Sequence, residues 1–156
     1  MTTKILFLIT LLAYAVVVSQ SFMYMLSLKQ VQSSLDVVSF TQIRKLTDNA
    51  MQASFKYVIY AALLANVLLV LTTAGAPGSV YFISAAIGLL ALVIDVLLTV
   101  KGSLPINDVI NTWSADHYPA NWAYFRDKWF TIFQYRQIAN IAGFLSLLVG
   151  AIFGNR

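Results

Sequence analysis

The sequence predicts an all-α integral membrane protein: a four-helix bundle with helical extensions and a short interfacial helix after the third span. Three observations carry that reading. Hydrophobic residues make up 60% of the 156 residues and charged residues only 10%, against about 25% charged in an ordinary soluble domain. Mean hydropathy is +0.78. Four separate segments each approach the roughly 20 apolar residues that a bilayer crossing requires. A single membrane domain, 1–156, accounts for the whole chain.

The first span is about residues 5–28. Lys4 followed by the apolar run Ile5–Val18 resembles a secretory leader. The apolar character continues through Phe22-Met23-Tyr24-Met25-Leu26, so the segment is read as a retained helix. The connection to the second span, about 29–56, is polar but periodic. Val31, Leu35 and Val38, then Ile43, Leu46, Ala50 and Met51, recur at helical spacing. That pattern predicts a helical hairpin outside the bilayer, turning near Ser39-Phe40-Thr41.

The second span is about 57–73 and the third about 80–100. Between them, Thr73-Ala74-Gly75-Ala76-Pro77-Gly78-Ser79 is uncharged and rich in turn-forming residues, which makes the two spans an antiparallel hairpin.

Residues 101–136 separate the third span from the fourth, about 137–153. Pro105 can open a short helix at its first position. Ile106, Val109, Ile110 and Trp113 then share one face; Asn107, Asp108, Asn111 and Thr112 share the other. This predicts an amphipathic helix in the interface, broken at Asp116-His117-Tyr118-Pro119. Asn121 is placed to cap the next helix, which can run unbroken into span four. Trp113, Trp122 and Trp129 cluster here with Tyr118, Tyr124 and Tyr135, as an interfacial aromatic belt requires.

Charge sets the orientation. Lys4 and Arg156 fall on the side of the termini and the Gly75 turn. The other eight basic residues, Lys29, Arg44, Lys45, Lys56, Lys101, Arg126, Lys128 and Arg136, fall on the opposite side. The positive-inside rule places the two long connections in the cytoplasm, as in a bacterial inner membrane. The net charge of +4 comes from scattered residues that flank apolar segments. It suits lipid headgroups and lacks the clustered footprint of a nucleic-acid binder.

The reactive inventory is short. There is no cysteine and no glutamate; the six acids are Asp36, Asp48, Asp95, Asp108, Asp116 and Asp127, and His117 is the sole histidine. No conventional transition-metal ligand set can be assembled from these, and the nucleotide-binding patterns GxGxxG and Walker A are missing. No cofactor is expected.

Asp95 stands out, inside span three in Leu92-Val93-Ile94-Asp95-Val96-Leu97. An aspartate there costs about 2.5–3.5 kcal/mol on insertion scales. Lys101 is six residues on, so Asp95 lies about 9 Å below the interface and needs a partner. Arg136, near the start of span four on the same side, is the expected one; six residues is not a same-face spacing, which disfavours Lys101. Asn66, Asn140 and the Ser19-Gln20-Ser21 patch are further buried-polar candidates. Should they face one another and Asp95, they would line a polar pocket. On the helix opening at Trp122, Arg126, Trp129 and Phe133 lie three or four residues apart and share a face. Arg126, Lys128 and Arg136 with Trp122 and Trp129 could therefore hold an anionic or aromatic headgroup. With Asn107 added, the candidate ligand-binding residues are Asp95, Arg136, Arg126, Trp122, Trp129 and Asn107, and Asp95 is the only candidate base.

The stretch Thr99-Val100-Lys101-Gly102-Ser103-Leu104-Pro105-Ile106-Asn107-Asp108, Trp113, Pro119-Ala120-Asn121-Trp122, Phe125-Arg126-Asp127-Lys128-Trp129 and Arg136 resembles the anthrone-oxygenase-like family of small four-span membrane proteins. The resemblance covers about a quarter of the chain. It implies the four-span fold and, for some members, cofactor-independent oxygenation of polycyclic phenols. The chain departs from the pattern at Phe133, where the family commonly has His, at Asn121 in place of Asp, and at Lys128 in place of Arg. Loss of that His removes the group best suited to catalysis.

Three functions follow as expectations. The first is a membrane protein that holds a lipid-like or aromatic hydrophobic ligand between its helices. The second is a membrane oxygenase or oxidoreductase using Asp95. The third is a structural subunit or homo-oligomer whose spans simply pack together.

Overall fold

Each apolar window folds as a helix because the bilayer-scale runs contain no proline. The computed structural model describes residues 3–154, so Arg156, counted above for orientation, lies outside the described residues. Four long helices account for nearly all of it: α1 (Thr3–Ser33), α2 (Val37–Thr73), α3 (Val80–Asn111) and α4 (Trp122–Phe153). All four are long and apolar enough to cross a membrane. Among the described residues the only β pairing is an isolated bridge, Ser114 with His117.

Helices of 31–37 residues extend about 46–55 Å at 1.5 Å per residue, well beyond the roughly 30 Å of bilayer hydrocarbon. The predicted spans are therefore inner parts of longer rods. Packing runs in a ring, each helix against the next and α4 back against α1, with the broadest contact between α3 and α4. The loops 34–36 and 112–121 lie together at one end, here the paired-loop end. The Ala74–Ser79 turn lies at the other.

Three glycines permit the close approach of α4 and α3. A methyl group on Gly143 would strike the Tyr14 hydroxyl and the Ala91 side chain, and one on Gly150 would meet Ser84 and Phe7. One on Gly88 would meet Leu147 and Asn66.

Several local expectations are corrected. The turn after α1 lies at Ser34–Asp36, ahead of Ser39-Phe40-Thr41, because Asp36 caps α2: its carboxylate accepts from the Val38 and Ser39 amides at 2.9 and 3.0 Å. No separate interfacial helix forms after span three. Instead α3 continues through a widened π turn, Thr99–Ser103, into the Pro105 segment. Pro105 lacks an N–H and crowds the preceding turn; the wider turn carries it without a break. Within that segment Ile106, Ile110 and Trp113 are buried, but Val109 points outward and Asn107 inward. Asn121 occupies the N-cap position of α4 without a side-chain capping bond.

In the extension of α2 the polar stripe, not the apolar one, turns inward. Leu46 and Ile43 are exposed, while Arg44 and Asp48 are buried. Val31 on α1 is exposed as well.

Candidate ligand-binding cavity

Every helix carries the same sequence of layers. One apolar cluster includes Leu6, Tyr14, Leu69, Leu92 and Leu147. A second, toward the paired-loop end, includes Tyr24, Phe40, Ile110, Trp113 and Trp129. Between or beside them lie buried polar residues: Ser21 on α1, Arg44 and Asp48 on α2, Asp95, Ser103 and Asn107 on α3, Gln137 and Asn140 on α4. Three π turns, Tyr24–Leu28, Met51–Phe55 and Thr99–Ser103, fall near this polar belt. A π turn inserts a residue and often marks a functional position.

A cavity of about 540 Å³ opens in the belt, lined by α2, α3 and α4 with Gln20 of α1. Its polar wall holds Arg44, Asp48, Asp95, Asn107, Trp129 and Arg136; Ile59, Val96 and Val100 are among its apolar lining. Tyr60 and Val100, at its edge, are largely exposed. The cavity thus faces outward along the α2–α3 seam.

Two hydrogen-bonded assemblies build the polar wall. In the first, Arg136 Nε donates to Asp95 Oδ1 at 2.7 Å, with Asp95 almost fully buried. Arg136 Nη1 donates to Ser103 Oγ at 3.3 Å. This is the partner expected for Asp95, and it joins α3 to α4. In the second, Arg44 Nη2 donates to Asn107 Oδ1 at 3.3 Å, and Asn107 Nδ2 donates to Asp48 Oδ1 at 2.8 Å. Asp48 Oδ2 also accepts from Gln52 and Asn111. Asn107 therefore bridges a buried cation and a buried anion, and joins α2 to α3.

Aromatic rings connect the two assemblies. The Arg44 guanidinium lies 3.9 Å over Trp129. Trp129 stacks on Phe133 with centroids 4.6 Å apart and planes 16° from parallel. Arg136 lies 5.1 Å over Phe133, and Tyr24 meets Phe133 edge-on at 4.6 Å. Trp129, Phe133 and Arg136 share a face of α4 by their spacing of four and three residues.

The structure brings together Asp95, Asn107, Trp129 and Arg136 of the expected ligand-binding set. Arg126 and Trp122 lie elsewhere. Arg126 pairs with Asp127, reaches the Ser33 carbonyl at the end of α1 and sits over Trp122, so both serve the paired-loop end. Of the other polar candidates, Gln20 lines the cavity. Ser21 bonds Gln137 instead, and Ser19 bonds its own helix at Val16. Asn66 lies deeper, between α2 and α3. In the orientation that satisfies its neighbours, it donates to the Ala85 carbonyl at 3.0 Å and accepts from the Leu89 amide at 3.1 Å. Asn140 is wholly buried with no hydrogen-bond partner on either amide atom.

Arg44 and Asp48 were legible only as charges in an extension. The signal was a one-face stripe, Val37, Thr41, Arg44 and Asp48, opposite the apolar Ile43 and Leu46. Read with the apolar face outward, that stripe points both ions into the bundle.

No protein-family model, curated protein or solved structure matches this chain.

Proposed function

We propose that this protein is a multi-pass membrane protein, a four-helix bundle, that holds a hydrophobic ligand in the cavity between α2, α3 and α4. The observation that carries the reading is the cavity's composition: an apolar, outward-facing part continuous with a buried polar wall. Small-molecule sites have this mixed character, mostly apolar with a few fixed polar groups. Access along the α2–α3 seam suits a molecule dissolved in the bilayer. A purely structural subunit gains nothing from such a void, since an unfilled cavity of this size forfeits packing.

In this reading Asp95 and Arg136 fix the wall, and the polar end of the ligand sits beside them. An oxygenase would need a base beside its substrate. Asp95, the sole acid inside a span, is engaged by Arg136, and Phe133 stands where a His is common in the family that residues 99–136 resemble. Binding without turnover is therefore the reading put forward. By the charge bias, the paired-loop end lies in the cytoplasm and the membrane is a bacterial inner membrane.

Native mass spectrometry of the detergent-extracted protein tests this. The parent should release a co-purified organic molecule, or take one up from added membrane lipid extract. Val96→Trp and Ile59→Trp, which fill the apolar part, should lose it while keeping the helical circular-dichroism spectrum. A parent that binds nothing, or variants that bind as the parent does, would sink the proposal.

A further inference from the structure

We infer that the cavity selects an amphiphile with an oxyanion head, a carboxylate or phosphate, received by Arg44, Trp129 and Gln20. This rests on the cavity reading above and adds the chemical class of the ligand.

Three observations carry it. First, each of these lining residues has a buried N–H without a partner: Arg44 Nε, Trp129 Nε1 and Gln20 Nε2. An orphaned buried donor costs about 1–3 kcal/mol. Among the described residues, no cavity-lining side chain carries an orphaned buried acceptor. Three donors on the wall thus want acceptors, which a head rich in oxygens supplies.

Second, the faces of the two rings in the polar wall, Trp129 and Phe133, are already taken. Arg44 covers Trp129 on one side and Phe133 stacks against it. Phe133 is further enclosed by Arg136 and by the Tyr24 edge. A head received at that wall meets no free face of Trp129 or Phe133, so hydrogen bonds and charge, not stacking, hold it there; the uncovered rings of the lining, Phe55 and Tyr60, lie away from it on α2.

Third, Arg44 is only 6% exposed and has no carboxylate at ion-pair distance. The ion pairs among the described residues are Arg126–Asp127 and Arg136–Asp95. The nearest acid on its helix, Asp48, is held off by the intervening Asn107 amide and satisfied by three side-chain amides. A buried guanidinium in that position gains from an incoming anion. Lys56 and Tyr60 also line the cavity and are exposed, placing a cation and a phenol where a headgroup would pass.

The test titrates the delipidated protein in detergent with matched probes, read by native mass spectrometry. Oleate is set against methyl oleate, and dioleoyl phosphatidate against dioleoylglycerol. Each anionic probe should bind at least about tenfold more tightly than its neutral counterpart. Trp129→Phe keeps the stack and removes one donor; it should weaken the anionic probes about two- to tenfold, the worth of one hydrogen bond, and leave the neutral ones unchanged. Arg44→Gln should abolish the preference, and Arg44→Lys should keep part of it. If Arg44→Gln fails to fold, Trp129→Phe and Gln20→Leu still decide the matter. Equal binding of oleate and methyl oleate, both lost in Val96→Trp, would overturn the headgroup assignment while leaving the cavity reading intact. Binding of no probe at all overturns both. Displacement of oleate by inorganic phosphate at comparable concentration would assign the site to a free oxyanion and overturn the amphiphile.

Discussion

The Asp95–Arg136 pair gives the sharpest stability prediction, because two physical models of it differ several-fold. If the pair acts as an ordinary inter-helix hydrogen bond, breaking it costs about 0.6 kcal/mol, the average for such bonds in a bilayer. If it acts as a buried ion pair, removing one partner leaves an uncompensated charge and costs about 3–5 kcal/mol. The geometry favours the second: the carboxylate side chain is 2% exposed, the guanidinium 11%, and they meet at 2.7 Å. Arg136→Met should therefore destabilise by about 3–5 kcal/mol. Asp95→Asn keeps an acceptor for Arg136 Nε and should cost less. The double variant Asp95→Leu with Arg136→Met removes both charges and should return to the parent's stability or exceed it, because desolvating the two ions costs much of what their attraction returns. Stability is read from reversible unfolding in mixed micelles of mild detergent and SDS, followed by tryptophan fluorescence. An Arg136→Met variant within about 0.6 kcal/mol of the parent, or a double variant as unstable as the worse single one, would refute the ion-pair account.

Other predictions follow from single features. Gly143→Ala places a methyl against Tyr14 and Ala91 and should cost about 1–3 kcal/mol; Tyr14→Phe, which removes the colliding hydroxyl, should restore part of it, and no restoration would mean the helices simply shift apart. Gly75→Ala, which meets open space, should unfold with the parent and serves as the control. The chain has no cysteine, so single cysteines at Ser34 and Ala115 should react with an impermeant maleimide from the same face of intact vesicles, and one at Gly78 from the other; a shared face for all three would break the four-crossing topology. Asp36 is held below the usual aspartate value chiefly by the Ser39 amide and hydroxyl. Its folded value is the lower one, so its contribution is present above about pH 4 and disappears as the pH falls through the folded value; the stability gap between the parent and Asp36→Ala should be constant near neutrality and close in acid. Asn107→Leu takes a bond from both Arg44 and Asp48 and should cost more than Asn111→Leu, which takes one from Asp48 alone; equal costs would show that Asn107 is not the bridge.

The four rods were legible because a long apolar window between turn residues has few alternatives. The Asp95–Arg136 pair was legible for a similar reason: one acid inside a span, and one cation at matching depth on a later span. Other features left weaker traces. Asp36 caps α2 without glycine or proline nearby, so the turn was placed a few residues late. The π turns have no residue signature at all; each depends on how neighbouring helices share space. The inward face of Arg44 and Asp48 is not legible from periodicity, which shows that α2 has two faces there but not which one turns to the core. In a bundle whose outside is apolar, the usual assignment of the apolar face to the core inverts, and Leu46 faces out while Arg44 faces in.

The same inversion explains why a cavity persists at this level of the bundle. At the level of the polar belt, directional bonds hold the helices together: Ser21 to Gln137 across α1 and α4, Asp95 to Arg136 across α3 and α4, Arg44 and Asp48 through Asn107 across α2 and α3. Apolar side chains slide and repack to close a gap; a network with fixed donor–acceptor distances does not, because every shift that fills space breaks a bond between buried groups. Toward the Ala74–Ser79 turn the helices close on an apolar cluster with Gly143 and Gly150 at the contact, and toward the paired-loop end on an aromatic one. The belt therefore holds α2 and α3 at a set distance while the layers beside it pack tightly. The void is a consequence of the polar residues, and the donors those residues leave unpaired define what fits inside it.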